Sequence, residues 1–308
     1  MILKANLKKA VVAALAASMA LSMVGCGGDA KKDDKKADGG DKKAAAAVKG
    51  NITGAGSSAL LPLVKDAAAS FKKKNKDVSI SLNAGGSGQG LKQVSDGSVD
   101  MGNSDVPAES KLPKEKAAQL QDHKICVMTV ATIVNKDIAK TVKSLTKAQL
   151  KDVFTAKVTN WKEVGGPDEP IILVTRPKTS GTRALFSKYA LGGAEEASNK
   201  SLETDNSGTL LQSVAQNKGA VGYVALPYIV KNDTVATLGI DGVAPTLENT
   251  YNGKYNVWGY EHVYTKKDPK PAVKAFLDYL LSAEYGKRIE ELGYGVSSKM
   301  QVKDAKHD

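Results

Sequence analysis

Only two cysteines and three histidines occur in 308 residues, and their scarcity removes several chemistries. Cys26 closes an apolar leader, while Cys126 stands alone beside the apolar run Val127 to Val134. No disulfide is expected, and Cys126 reads as an inert core thiol. His123, His262 and His307 show neither metal-ligand spacing nor a Ser/His/Asp context, so each reads as an ordinary surface or partly buried residue. No metal and no other cofactor is expected. Aromatic residues make up 5% of a chain whose formal charge is +11. The cations are dispersed and no nucleic-acid motif is present, so the positive balance describes a solvated basic surface rather than a nucleic-acid partner. No internal repeat of fixed period occurs.

The apolar stretch Val11 to Val24 follows Lys4, Lys8 and Lys9 and ends at Gly25-Cys26. It is too short for a comfortable span, which needs about 20 residues, and reads as an export signal over residues 1–25. Those three lysines are the only charges before Cys26; removing them from +11 leaves +8. Residues 26–50 are dominated by Lys, Asp, Gly and Ala with no apolar cluster to bury, the composition of a disordered tether.

Beyond the tether, the run Arg176-Pro177-Lys178-Thr179-Ser180-Gly181-Thr182-Arg183 puts a guanidinium, hydroxyls and a glycine where a helix begins. The first N–H groups of a helix lack intrahelical partners and carry the positive dipole end, which suits an oxyanion; a Ser N-cap with a surface Arg fits the same residues. Gly54-Ala55-Gly56-Ser57-Ser58 opens a second helix, whose apolar residues Leu60, Leu61, Val64, Ala67, Ala68 and Phe71 recur at helical spacing. Gly85-Gly86-Ser87-Gly88-Gln89-Gly90 follows the alternating strand Val78, Ile80, Leu82 and opens a third. Val99 to Ser104 reads as a short strand whose turn presents Asp105, either as a turn former or as a ligand. Each loop alone is weak; the repetition carries weight.

These segments, with Gly219 to Val224 and the closing stretch Ala272 to Tyr294, resemble the phosphate-binding proteins of phosphate-specific ABC transporters, the PstS family, over about residues 50 to 305. The resemblance implies a two-lobed α/β fold of the periplasmic-binding-protein type II class. It places lobe I at 51–130 and 257–308 and lobe II at 131–256, with crossovers near Val130 to Asn135 and Tyr255 to Tyr260. By position it implies phosphate ligands at Ser58 with the Ala59 amide, Ser87, Asp105, Arg176, Ser180, Gly181 and Thr182. It also implies inorganic phosphate as cargo and the permease and ATPase subunits of an importer as partners. Met23-Val24-Gly25-Cys26 resembles a lipobox, so Cys26 is expected to carry a lipid that anchors the protein outside the cytoplasm at the cell membrane; a plain secretory signal is the alternative. The chain departs from the family at Lys178, where familiar members carry an acid two residues after the ligand arginine.

Strand-like Val78 to Leu82, Val127 to Val134, Ile171 to Thr175 and Val221 to Val224 alternate with helical stretches, as α/β lobes require. Thr146-Lys147-Ala148-Gln149 reads as a capping box before a helix burying Leu150, Val153 and Phe154. Tyr251, Tyr255, Trp258, Tyr260 and Tyr264 fit either a sugar or partner surface or core and hinge packing. A phosphatase would need an activated nucleophile or a metal that the histidine count does not supply, so the chain is not read as an enzyme. An oxyanion sensor or adhesin on the same fold is the other alternative. Asp105 decides among anions. A carboxylate facing a dianion repels it unless the ligand supplies a proton, which hydrogen phosphate has and sulfate at neutral pH lacks.

Overall fold

A computed structural model describes residues 48–302 together with His307. The leader, Cys26 and residues 27–47 of the expected tether lie outside the described residues. In chain order, β1 (Gly50–Gly56), α1 (Leu61–Lys74), β2 (Val78–Ala84), α2 (Ser87–Asp96), β3 (Met101–Ser104) and α3 (Lys114–Ala117) precede the long strand β4 (Leu120–Asn135). Then come β5 (Ser144–Leu145), α4 (Lys147–Phe154), β6 (Ile172–Thr175), α5 (Gly181–Tyr189), β7 (Ser201–Glu203), α6 (Ser207–Gln216) and β8 (Ala220–Ala225). The described chain closes with β9 (Val235–Ile240), α7 (Leu247–Tyr251), β10 (Trp258–Lys266), α8 (Pro271–Leu280) and α9 (Ala283–Gly286).

The strands run β2-β1-β3-β10-β4-β8-β6-β7, with β9 beside β4 and β5 beside β9. Parallel pairs β1/β2, β1/β3, β6/β7 and β6/β8 are joined through helices, as parallel neighbours must be. β4 belongs to two arrays: Leu120 to Thr129 pair antiparallel with β10, whereas Val130 to Val134 pair with β8. Each array has its own core. Around β1, Ile52, Leu63, Val64 and Phe71 meet Phe276 and Leu277 of α8, with Phe71 and Phe276 edge to face at 5.4 Å. Around β8, Phe154 and Phe186 pack on Tyr223, and Trp161 is buried in the same core. Each such side chain is worth about 1.5–3 kcal/mol on burial.

The helices start and stop where local chemistry allows. Pro62 stands at the start of α1, where no N–H is missed. The capping box of α4 forms in full: Gln149 N–H donates to Thr146 Oγ1 and Thr146 N–H donates to Gln149 Oε1. Two glycines set how closely α2 approaches the sheet. A Cβ at Gly90 would lie 2.5 Å from both the Ala55 carbonyl and Gly56 Cα, and one at Gly56, whose φ is +130°, would lie 2.2 Å from the Asn103 carbonyl. Backbone therefore rests on backbone at this point.

Cys126 is fully buried on β4. Tyr255, Trp258 and Tyr264 are buried as well; the Tyr255 hydroxyl donates to the Val130 carbonyl at 2.8 Å, and the Tyr264 hydroxyl accepts from Ala108 N–H at 3.1 Å. Core packing, not a sugar platform, occupies them. Two histidines depart from expectation. His262 is buried with Nδ1 2.9 Å from Asp122, because β10 lies inside the sheet between β3 and β4. His307 is also buried and stacks on Trp258 at 3.7 Å.

Candidate functional site

Ser180 is the N-cap of α5: its backbone is extended and its Oγ accepts from Arg183 N–H at 3.2 Å. Capping thus describes Ser180, but a surface arginine does not describe Arg176, which is 1% exposed. Arg176 follows the last residue of β6, and its guanidinium turns toward the start of α6. Its Nε donates to the Thr204 carbonyl at 3.1 Å, Nη2 to the Asp205 carbonyl at 2.9 Å and Nη1 to Ser207 Oγ at 3.2 Å. All three acceptors are neutral. A guanidinium has five N–H donors, so two remain for an anion. Burial lowers the basicity of Arg176, opposed by the fields of Tyr223 and Asp105.

Facing this array, β1 and β3 deliver the second set. Ser57 N–H donates to the Asn103 carbonyl at 2.8 Å, and its Oγ accepts from Leu60 N–H at 3.0 Å, which fixes the turn before α1. Ser58 Oγ accepts from Ser207 N–H at 3.1 Å and lies 2.9 Å from Ser207 Oγ. Ala59 is fully buried behind it. Ser87, the first residue of α2, accepts from Asp105 N–H at 3.0 Å, and Thr182 Oγ1 donates to Asp105 Oδ2 at 2.6 Å. The loops between β2 and α2 and between β6 and α5 also touch directly, Gly88 N–H donating to the Thr179 carbonyl at 3.0 Å.

All eight sequence-predicted residues therefore stand together, at the starts of α1, α2 and α5 and at the ends of β3 and β6. The hydroxyls of Ser58, Ser87, Ser180 and Thr182, like Asp105 and Arg176, are buried. Helix N-termini, hydroxyls and a guanidinium with free donors make a dry, electropositive receptacle, and one carboxylate in it accepts.

Several neighbours were not anticipated. Ser207 brings a fourth helix start, and the repeated triplet Ser-Gly-Thr at 180–182 and 207–209 was the available signal. Tyr228 closes one side, its hydroxyl donating to the Ser58 carbonyl at 2.6 Å; burial pushes its pKa up to about 12. Arg183 is held by Glu196 at 3.4 Å and by Glu195 and Glu203 at 3.7 and 3.8 Å, and donates to the Arg176 carbonyl at 2.6 Å. It supports the turn instead of entering the site. Lys178 points to solvent, where it faces Glu195 at 3.7 Å. Arg176 is oriented instead by the neutral carbonyls of Thr204 and Asp205.

A sheet in two arrays, with helix starts from both directed at one buried polar centre, defines the two-lobed periplasmic-binding-protein fold. The PBP superfamily domain matches residues 41–284. The chain is 44% identical to the phosphate-binding protein PstS of Bacillus subtilis over 297 residues, 96% of each chain. A solved structure from Clostridium perfringens, described as a phosphate ABC transporter substrate-binding protein with bound phosphate, aligns at a TM-score of 0.73 and 32% identity, covering 80% of this chain and 99% of its own. An ABC-type phosphate transport receptor from Vibrio cholerae aligns at 0.62 and 25% identity over 80% and 99%. The chain belongs to the PstS family of phosphate-binding proteins.

Proposed function

We propose that this protein captures inorganic phosphate outside the cytoplasm and delivers it to an ABC importer, as a binding protein and not an enzyme. One observation carries the assignment: a buried arginine with neutral partners and free donors stands with a buried aspartate among four helix starts. Ser58 with the Ala59 amide, Ser87, Asp105, Arg176, Ser180, Gly181 and Thr182 form the phosphate site. Arg176 and the helix amides neutralise the anion, and Asp105 accepts the hydrogen of hydrogen phosphate.

The change of partner along β4 at Val130 supports lobes at 51–130 with 257–308 and at 131–256. Phosphate would then bridge them, and closure would present a loaded form to the permease and ATPase. The lipobox-like sequence supports an anchor at Cys26, with the tether giving reach. Titration calorimetry with phosphate and sulfate on the wild type and Asp105→Asn tests the assignment. The substitution should reduce discrimination against sulfate by about 1–3 kcal/mol while altering phosphate affinity less. An unchanged phosphate-to-sulfate ratio would make Asp105 a turn residue only.

A further inference from the structure

Directly behind Asp105 lies a second carboxyl group with no assigned task. In the antiparallel pairing of β10 with β3, His262 stands opposite Ser104, so Glu261 stands opposite Asp105, one step past the end of the ladder. On its other side Glu261 pairs with Cys126 of β4, and the register slips between Glu261 and His262. Such a bulge re-aims a side chain. Glu261 is fully buried, and no N–H or O–H donor of another residue reaches either of its carboxyl oxygens or Asp105 Oδ1, but the Glu261 carboxyl group lies within hydrogen-bonding reach of that of Asp105. The titratable groups facing it are Asp105 in the turn after β3, Cys126 on β4, Tyr228 beyond β8 and Tyr294 in the C-terminal segment. None of these is a cation. Burial, then Asp105, holds the Glu261 carboxyl well above the usual carboxylate range.

Two carboxyl groups facing each other in a dry site cannot both be ionised, and a shared proton turns their repulsion into a hydrogen bond. The proton belongs on Glu261. Asp105 already receives the Thr182 hydroxyl and lies in the field of Arg176, whereas Glu261 has neither. We propose that Glu261 is a positioning residue for anion selection: its protonated carboxyl donates to Asp105 Oδ1 and fixes that carboxylate with Oδ2 turned to the ligand hydroxyl. The inference rests on the phosphate assignment above. Without this donor, Asp105 Oδ1 stays unpaired and the carboxylate can rotate, which blunts its choice between a protonated and an unprotonated oxyanion.

The test compares wild type, Glu261→Gln and Glu261→Met by infrared spectroscopy at neutral pH and by phosphate and sulfate titrations. The wild type should show a carbonyl stretch of a protonated carboxylic acid that survives replacement by Gln of Glu196, the other buried carboxyl with a raised pKa, about 7, and Glu261→Gln should lack that band. Glu261→Gln retains an N–H donor and should keep the phosphate-to-sulfate ratio within about threefold, whereas Glu261→Met, of similar length but without a donor, should lower it about tenfold or more. Absence of the band from the wild type, or equal ratios in the two variants, overturns the role of Glu261 and leaves the phosphate site standing. Failure of the wild type to bind phosphate overturns the functional assignment, and this inference with it.

Discussion

Replacing Gly181 with alanine is the most exacting probe of how the site closes. A Cβ there would lie 2.3 Å from Ser87 Oγ, 2.8 Å from Asp105 Cβ and 3.0 Å from Ser87 Cβ. Ordinary contact begins at 3.4 Å, so the start of α5 must withdraw by roughly 1 Å, stretching the 2.6 Å bond from Thr182 to Asp105. All three obstructing atoms lie on α2 and the turn after β3, none on the array that carries α5. Alanine is also a better helix former than glycine. The ligand-free protein should therefore melt within a few degrees of wild type. Phosphate affinity should fall by the usual overpacking cost of about 1–3 kcal/mol, roughly 5- to 150-fold, and the thermal shift at fixed phosphate should shrink accordingly. Calorimetry and thermal melts with and without phosphate measure both. Affinity within threefold of wild type would show that this contact does not govern retention, and a large loss of stability without phosphate would show that the two sides never part.

Arg176→Ala should weaken phosphate binding by about 2–5 kcal/mol, and Arg176→Lys should remain strongly impaired because an ammonium cannot reproduce the planar fork; affinity of Arg176→Ala within twofold of wild type would move the anion site elsewhere. Glu196 offers a pH test, since burial, opposed by Arg183, raises its pKa from 4.5 to about 7. The native state holds this proton more tightly than the unfolded chain, so the stabilisation is full below pH 4.5 and is lost as pH rises through 7. Glu196→Gln should remove a decline on the order of 3 kcal/mol between pH 5 and 8, measured by urea unfolding at both ends; an unaltered decline would exclude Glu196 as its source. Cys26→Ala should shift the protein from the membrane fraction to soluble or unprocessed forms, and unchanged attachment would refute a lipid at this residue.

What the sequence made legible was mostly local. Glycines and hydroxyl residues ahead of Leu61, Ser87 and Gly181 announce helix starts because the preference is exerted within a turn of chain. The same holds for the capping box at Thr146. Ser207 escaped notice although its triplet repeats that of Ser180, because no arginine accompanies it; the guanidinium it receives comes from Arg176, far back in the chain. Arg183 could not be interpreted because its acids arrive from Glu195, Glu196 and Glu203. Glu261 sits in a strand whose alternation fixes which face it takes but not how deep that face lies. Its position opposite Asp105 depends on β10 inserting between β3 and β4, a long-range pairing that no local pattern specifies.

The contact of Gly90 with Ala55 and Gly56 has a consequence for how such a receptacle can change. Where side chains line a cavity, substitutions widen or narrow it one methyl group at a time. Here main chain already touches main chain, leaving nothing to trim, and any enlargement displaces the whole start of α2 along with Ser87. Exchanging a hydroxyl for an amide, or a carboxylate for its amide, leaves that spacing untouched. The spacing of the receptacle is thereby set by glycine backbone and its donors and acceptors by single side chains, so the two can change independently of each other.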